Sequence, residues 1–158
     1  MKINMVLWKT LLSALNPERK DITVNRKRGE EKKWKVDKTM DMMVKEYSFE
    51  NYEVRNKNNE LIFSFQKRFI GTTPVLDIPG RFSPQFAYTL KINDVTISYN
   101  VENQENEVSL INFAPTLKTA LDQKIQIQEY NAEYAQTIKN MSEKEKATLK
   151  YLANTLQR

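Results

Sequence analysis

The stretch FAYTLKINDVTISYNV, residues 86–101, decides the fold that we predict for this chain. Apolar and polar residues alternate on both sides of Asn93-Asp94, which predicts two β-strands that each place one face on a core. The two-residue link favours a type I′ turn, because asparagine and aspartate both tolerate a positive φ. Since a slip by one residue would destroy the match of apolar residues, the pattern also predicts the register. The predicted cross-strand pairs are Ile92–Val95, Leu90–Ile97 and Tyr88–Tyr99.

A second β-hairpin is predicted upstream of the first. Its arms are residues 47–55 and 60–69, and the asparagine-rich link 56–59 between them is a strong turn signal. The second arm alternates well, whereas Phe49 and Tyr52 break the alternation in the first arm. This break indicates a β-bulge.

Residues 71–84, between the two hairpins, are predicted to form a long irregular loop, because they contain two of the three glycines and three of the five prolines. Pro79 and Gly80 restrict the backbone beside Arg81 and Phe82, and arginine and phenylalanine are typical interface anchors. A stiff loop would lose little entropy on binding. Arg81 and Phe82 are therefore the candidate protein-binding residues. The alternative is a rigid connector whose Phe82 caps the sheet.

Helices are predicted at both ends of the chain. The first segment has apolar residues at helical spacing and ends before Pro17, which favours an amphipathic helix docked on the core. Lys9 interrupts its apolar run, which argues against the alternative of an export signal, and the run is shorter than the roughly 20 residues of a membrane span. Near the C-terminus, Pro115 suits the first position of one helix. Ser142 and Glu145 match a capping box that starts another.

Together these patterns predict a single α+β domain over residues 1–158. An antiparallel sheet of about five strands, a meander, packs against an N-terminal helix and two C-terminal helices in two layers. The fifth strand is assigned to residues 108–113. The predicted segments are the N-terminal helix (1–16), a charged segment (17–46), the sheet (47–113) and the C-terminal helices (114–158). The predicted core consists of Leu7, Leu11, Phe63, Phe65, Tyr88, Leu90, Ile97, Tyr99, Leu110, Leu121, Ile125 and Leu152.

Composition limits the chemistry that this chain can perform. It has 158 residues and contains neither cysteine nor histidine. This excludes cysteine–histidine zinc sites, Ser-His-Asp triads and histidine general bases. The absence of cysteine also favours a reducing compartment. We therefore predict a cytoplasmic protein that is not an enzyme, with no metal, no cofactor and no transmembrane segment.

The charged segment holds most of the formal net charge of +5. Its residues 18–38 include nine basic and five acidic residues, so nine minus five leaves +4. Short strands are predicted at 22–24 and 34–36, with a turn at Gly29. Cations beside an aromatic ring suit a phosphate backbone and a stacked base. The candidate nucleic-acid-binding residues are Arg26, Lys27, Arg28, Lys32, Lys33, Trp34 and Lys35. The alternative is a solvated face, diluted by Glu30 and Glu31, with Trp34 turned to the core.

Three functions follow from these features, in order of preference. The first is a non-enzymatic protein-binding module, an accessory, inhibitor or immunity-type factor of a bacterium or its mobile elements, with a protein partner. The second is a DNA- or RNA-binding protein that uses residues 19–38. The third is a Mg²⁺-dependent nuclease, because Asp21 with Glu31, Lys32 and Lys33 matches a loose acidic pattern of such enzymes. The oligomeric state is not predicted.

Overall fold

The computed structural model describes residues 4–39, 42–102 and 108–156. Within these ranges the chain forms three helices and seven strands. The helices are α1 (Met5–Ala14), α2 (Val108–Lys139) and α3 (Glu143–Leu156). The strands are β1 (Thr23–Arg28), β2 (Glu31–Lys35), β3 (Met43–Tyr47), β4 (Phe49–Arg55), β5 (Leu61–Pro74), β6 (Phe82–Ile92) and β7 (Val95–Tyr99). The chain divides into two compact units, Met1–Ile125 and Gln126–Arg158.

The predicted α+β class with an antiparallel five-stranded sheet is confirmed. The strand order is β1-β4-β5-β6-β7, so four consecutive strands form a meander and β1 is added beside β4. Strands β2 and β3 form a separate two-stranded sheet. The short strands predicted in the charged segment correspond to β1 and β2, whereas β3 was not predicted.

The hairpin of β6 and β7 has the predicted register. All three predicted pairs are present: Tyr88 opposite Tyr99, Leu90 opposite Ile97 and Ile92 opposite Val95. Asn93 takes a positive φ of 53°, but Asp94 is not among the described residues with positive φ. The type I′ prediction therefore holds for the first turn residue only.

The upstream hairpin is also confirmed, with its irregularity in another place. Strands β4 and β5 pair around residues 56–59, where Asn59 takes a φ of 62°. The Asn56 side chain accepts hydrogen bonds from the backbone N–H groups of Asn58 and Glu60, both at 3.0 Å, which fixes the turn. The register shifts between Val54 and Arg55 rather than near Phe49 and Tyr52.

The strand predicted over 108–113 is wrong, because these residues form the first turns of α2. Leu110, Ala114, Leu117 and Leu121 recur at helical spacing and are all completely buried. A short apolar run cannot by itself distinguish a strand from a buried helical turn. Pro115, expected at the first helical position, lies inside α2.

The irregular loop predicted over 71–84 is also wrong. Strand β5 continues to Pro74 and β6 begins at Phe82, so the turn comprises only residues 75–81. Gly71 lies at a register shift and takes a φ of 134°, a conformation that other residues adopt only with strain. The glycine therefore belongs to a β-bulge in a long hairpin.

The core lies between the five-stranded sheet and the helices α1 and α2. The N-terminal helix is confirmed, with Trp8 and Leu11 buried and Trp8 stacked on Phe113 at 4.5 Å. Of the predicted core, eight residues are buried: Leu11, Phe63, Phe65, Leu90, Ile97, Leu110, Leu121 and Ile125. Leu7, Tyr88 and Tyr99 are partly buried against this cluster.

The second unit contains the end of α2 and the whole of α3. The predicted helix start and the N-cap bond of the predicted capping box are confirmed, since the Glu145 N–H donates to Ser142 Oγ at 3.2 Å. The Glu145 carboxylate accepts a hydrogen bond from the Ser142 hydroxyl at 3.0 Å, whereas in a capping box it accepts from the backbone N–H of the N-cap residue. Helix α3 has no buried residue, and Leu152 is 47% exposed. Leu152 is therefore wrong as a core residue, because an amphipathic pattern does not specify what covers its apolar face.

Replacing Ser142 with alanine should destabilise α3 by about 1 kcal/mol, because the helix loses its N-cap acceptor. Hydrogen exchange of the α3 backbone amides measures this effect. Thr148→Ala is the matched control: its hydroxyl donates to the carbonyl of Lys144 inside the helix, and alanine has the higher helix propensity. Equal acceleration of exchange in both variants would contradict a capping role for Ser142.

Candidate interaction surface

The ends of two β-hairpins lie side by side in the first unit. The Phe82 N–H donates to the Val36 carbonyl at 2.7 Å, and the Lys38 N–H donates to the Gly80 carbonyl at 2.8 Å. Between these bonds, Asp37 forms an antiparallel bridge with Arg81. The segment after β2 is thus tied to the beginning of β6. We call residues 75–81 the tip, and the tip together with residues 35–38, 42 and 43 the distal surface.

The backbone of the tip is held in a defined conformation. The Val75 N–H donates to the Arg81 carbonyl at 2.9 Å, and the Arg81 N–H donates to the Ile78 carbonyl at 3.3 Å. Asp77 and Gly80 take positive φ values of 66° and 83°. The tip is therefore a closed turn, anchored to a neighbouring segment.

The two predicted protein-binding residues lie at the base of this tip. The Arg81 guanidinium approaches the Asp37 carboxylate at 3.7 Å, and the Arg81 side chain is still 54% exposed. Phe82 is half-buried, with the Lys38 ammonium 5.7 Å from its ring centroid. Both side chains contact the segment after β2, so they support the tip.

The most exposed apolar side chains near Arg81 were missed by sequence reasoning. Leu76 is 88% exposed, and Ile78 is 42% exposed. Met42 and Met43, at the end of the β2–β3 hairpin, are also exposed. Contiguous exposed apolar residues on a small protein mark interaction sites more often than solitary ones do. The available signal was the segment Val-Leu-Asp-Ile, which places three apolar residues between two prolines.

Lysines lie along the β2–β3 hairpin, next to the segment that meets the tip. Lys33 lies opposite Lys45 in the β2–β3 pair, and Lys35 lies opposite Met43. These three lysines and Lys38 are exposed. Two acids also belong to the distal surface: Asp37, which lies 3.7 Å from the Arg81 guanidinium, and Asp77, which is exposed on the tip. The distal surface therefore combines exposed apolar side chains with a small excess of basic residues, Lys35, Lys38 and Arg81 against Asp37 and Asp77.

The candidate nucleic-acid-binding residues do not form one surface. Lys27, Lys32, Lys33 and Lys35 are exposed. Trp34 is half-buried, and its indole Nε1 is buried without a hydrogen-bond partner among the described residues. Half-burial reduces the ring surface that can stack on a base. Arg26 and Arg28 are engaged in ion pairs with Asp122 at 3.0 Å and Glu50 at 2.8 Å.

A charged row crosses the core side of the five-stranded sheet. The registers of its four strand pairs align Arg28, Glu50, Lys67, Tyr88 and Tyr99. Glu50 is only 6% exposed. The Lys67 ammonium lies 4.0 Å from the centroid of the Phe86 ring, and burial lowers the pKa of Lys67. We call these five residues the charged row.

Helix α2 places a cation, Lys118, and an acid, Asp122, next to the charged row. The Lys118 ammonium lies 2.7 Å from the Asp122 carboxylate and 3.4 Å from the Glu50 carboxylate. The Tyr52 hydroxyl donates to Asp122 at 2.7 Å, and burial together with this bond raises the pKa of Tyr52. Burial opposes ionisation of Asp122, but donation by Lys118 and Tyr52 holds the pKa of Asp122 below its usual value.

The acidic and basic residues of the predicted nuclease pattern are not brought together in the structure. Asp21 pairs with Arg19 at 2.8 Å, whereas the Glu31 carboxylate on β2 lies 3.9 Å from the Lys45 ammonium on β3. In residues 4–39, 42–102 and 108–156, no three acids converge as a metal site would require. The geometry therefore adds nothing to the nuclease hypothesis.

Comparisons with known proteins found no family model, no curated protein and no solved structure that matches this chain. Over the described parts of the chain, none of the helices combines the length and the apolar character that crossing a bilayer requires.

Proposed function

We propose that this chain is a non-enzymatic protein-binding module, an accessory, inhibitor or immunity-type factor of a bacterium or its mobile elements, acting in the cytoplasm. Its distal surface contacts the partner, with Leu76 and Ile78 at the centre. The observation that carries this proposal is the 88% exposure of Leu76 on a turn whose backbone is hydrogen-bonded on both sides.

The free-energy argument rests on burial and rigidity. Burying a leucine side chain contributes about 1.5–3 kcal/mol. A closed turn loses little conformational entropy on binding, so more of that gain is retained. Arg81 and Phe82 act here by holding the tip, and the half-exposed guanidinium adds a polar contact at its edge. The small excess of basic residues favours a partner with an acidic rim, because complementary charge speeds association and suppresses wrong partners.

Nucleic-acid binding by residues 19–38 is the second candidate, supported by the exposure of Lys27, Lys32, Lys33 and Lys35. It ranks lower because Arg26 and Arg28 already have carboxylate partners. Half-burial of Trp34 also reduces the ring surface that can stack on a base. Binding to random duplexes and single strands is measured as a function of salt concentration. An affinity that falls steeply with added salt, and that the double variant K32E with K33E loses, would favour this candidate.

Leu76→Asp should weaken binding to the protein partner by about tenfold to a hundredfold, because a charge replaces a buried leucine. The partner is isolated from the native host on the immobilised full chain, and its dissociation constant is then measured by calorimetry with purified proteins. Leu61→Asp is the matched control: Leu61 is 48% exposed at the start of the same β5 strand, far from the tip.

The two variants must have the same circular dichroism spectrum as the original chain. An isolated partner whose affinity is unchanged by both L76D and I78D would refute the distal surface as the binding site. An equal loss with L61D would show that the effect is not local to the tip.

A further inference from the structure

Strand β7 forms one edge of the five-stranded sheet. Its sequence is Val-Thr-Ile-Ser-Tyr, and in the described parts of the chain it pairs with β6 alone. An edge strand presents a row of backbone N–H and C=O groups with which a further strand can pair, and within the described residues no strand pairs with this side of β7. The opposite edge of the sheet, β1, differs because it carries Arg26, Lys27 and Arg28.

The turn geometry specifies which residues of β7 direct their backbone groups outward. A two-residue turn closes on a hydrogen-bonded pair, here Ile92 with Val95. Hydrogen-bonded and non-bonded pairs then alternate along an antiparallel ladder. Val95, Ile97 and Tyr99 therefore bond to β6, whereas Thr96 and Ser98 point their N–H and C=O groups to the free edge.

Strand β7 lacks three features that commonly prevent strands from pairing at sheet edges. Lysine, proline and β-bulges are the usual protection. Strand β7 contains no charged residue and no proline, and its pairing with β6 is regular. Val95, at the start of the strand, is 37% exposed.

We propose that β7 pairs with β7 of a second copy of this chain, antiparallel and centred on Ile97. The pattern is self-complementary, since a two-fold axis at Ile97 places Thr96 opposite Ser98 of the second copy and Val95 opposite Tyr99 of the second copy. Thr96 and Ser98 are the residues with outward backbone groups, so their pairs take the hydrogen-bonded positions of the new ladder.

The side chains agree with this pairing. Ile97 is 1% exposed on the core side, so Val95 and Tyr99, two residues away on either side, share that side of the strand. Pairing Val95 with a tyrosine, and threonine with serine, joins residue types that stabilise each other across strands. The two sheets become one continuous sheet around the axis. Because a five-residue edge is a small interface, the dimer is weak and concentration-dependent.

Sedimentation velocity of the full chain over a wide concentration range tests this inference, which is independent of the distal surface. The original chain should shift from monomer to dimer as its concentration rises. Thr96→Pro should abolish the dimer, because it removes an outward N–H and leaves the β6 ladder intact. Thr96→Val, which keeps the N–H, should still dimerise.

A charge pair distinguishes the proposed register from other contacts. T96K with S98K places lysines opposite each other at both symmetric positions and should raise the dissociation constant about tenfold or more. T96K with S98E places opposite charges there and should restore the dimer. A monomer at all concentrations, or a dimer that tolerates T96P, would overturn the proposal. Identical behaviour of the two double variants would also overturn it.

Discussion

Replacing Leu117 with alanine is expected to lower the free energy of unfolding of the first unit by about 2–5 kcal/mol. Leu117 is completely buried, on the face of α2 that also buries Leu110, Ala114 and Leu121. Truncation removes apolar area from a closely packed interior, and the cavity that remains adds to the loss.

Urea unfolding followed by tryptophan fluorescence measures this effect, because Trp8 stacks on Phe113 in the same core. Leu152→Ala is the matched control, since Leu152 is 47% exposed and its truncation should cost less than about 0.5 kcal/mol. If the two substitutions cost the same, the first turns of α2 are not the cover of the sheet.

Local patterns made the β6–β7 hairpin predictable from sequence. Its arms alternate strictly, and only two residues, Asn93 and Asp94, separate them. Such a short link permits few registers, and only one of these places Leu90 opposite Ile97. The N-cap bond at Ser142 was predictable for the same reason, because its two partners are three residues apart.

The errors arose where a local pattern is compatible with two structures. Residues 108–113 are apolar at spacings that suit either a strand or a buried helix, and burial of Leu110 and Leu117 by the sheet selects the helix. Glycine and proline within 71–84 indicated a loop. In the structure Gly71 occupies a bulge and Pro84 lies on β6 opposite Thr72, positions that a hairpin tolerates.

The segment that was predicted to bind a partner is also the segment on which our proposal rests, but with different leading residues. Arg81 and Phe82 were selected for their residue types, and their contacts with Asp37 and Lys38 depend on the approach of a segment more than forty positions away. The exposure of Leu76 follows from the same approach. No periodicity indicates whether an apolar residue in a turn faces solvent or protein.

The charged row depends on strand register and was likewise beyond sequence reasoning. Glu50 and Arg28 are separated by 22 positions, and the Lys118 that approaches Glu50 comes from a helix whose beginning was predicted as a strand. Arg28 was selected as a free cation for phosphate, whereas it has a buried carboxylate as partner. Surface charge can therefore be counted from sequence, but its availability requires the fold.

Glu50→Gln should lower the free energy of unfolding by about 1.5–3 kcal/mol, because Arg28 loses its carboxylate partner and Lys118 is left with Asp122 alone. Arg28 lies 2.8 Å from the Glu50 carboxylate and Lys118 lies 3.4 Å from it, while Lys67 is its neighbour on β5. Urea unfolding at neutral pH measures the loss. Glu53→Gln is the matched control, because the Glu53 side chain on the same strand is 50% exposed and pairs with Arg55 at 2.9 Å. An exposed pair of that kind contributes at most about 1 kcal/mol.

A triple variant separates the cost of the lost anion from a loss of packing. When E50L is combined with R28M and K118M, the ion pairs of Glu50 are replaced by apolar side chains. Asp122 keeps its ion pair with Arg26, and the Lys67 ammonium keeps its position over the Phe86 ring. Such replacements are neutral or stabilising in other buried ion-pair clusters. The triple variant should therefore recover most of the stability that E50Q loses. If it is less stable than E50Q, Glu50 acts through the shape of its contacts, and the electrostatic explanation of the charged row fails.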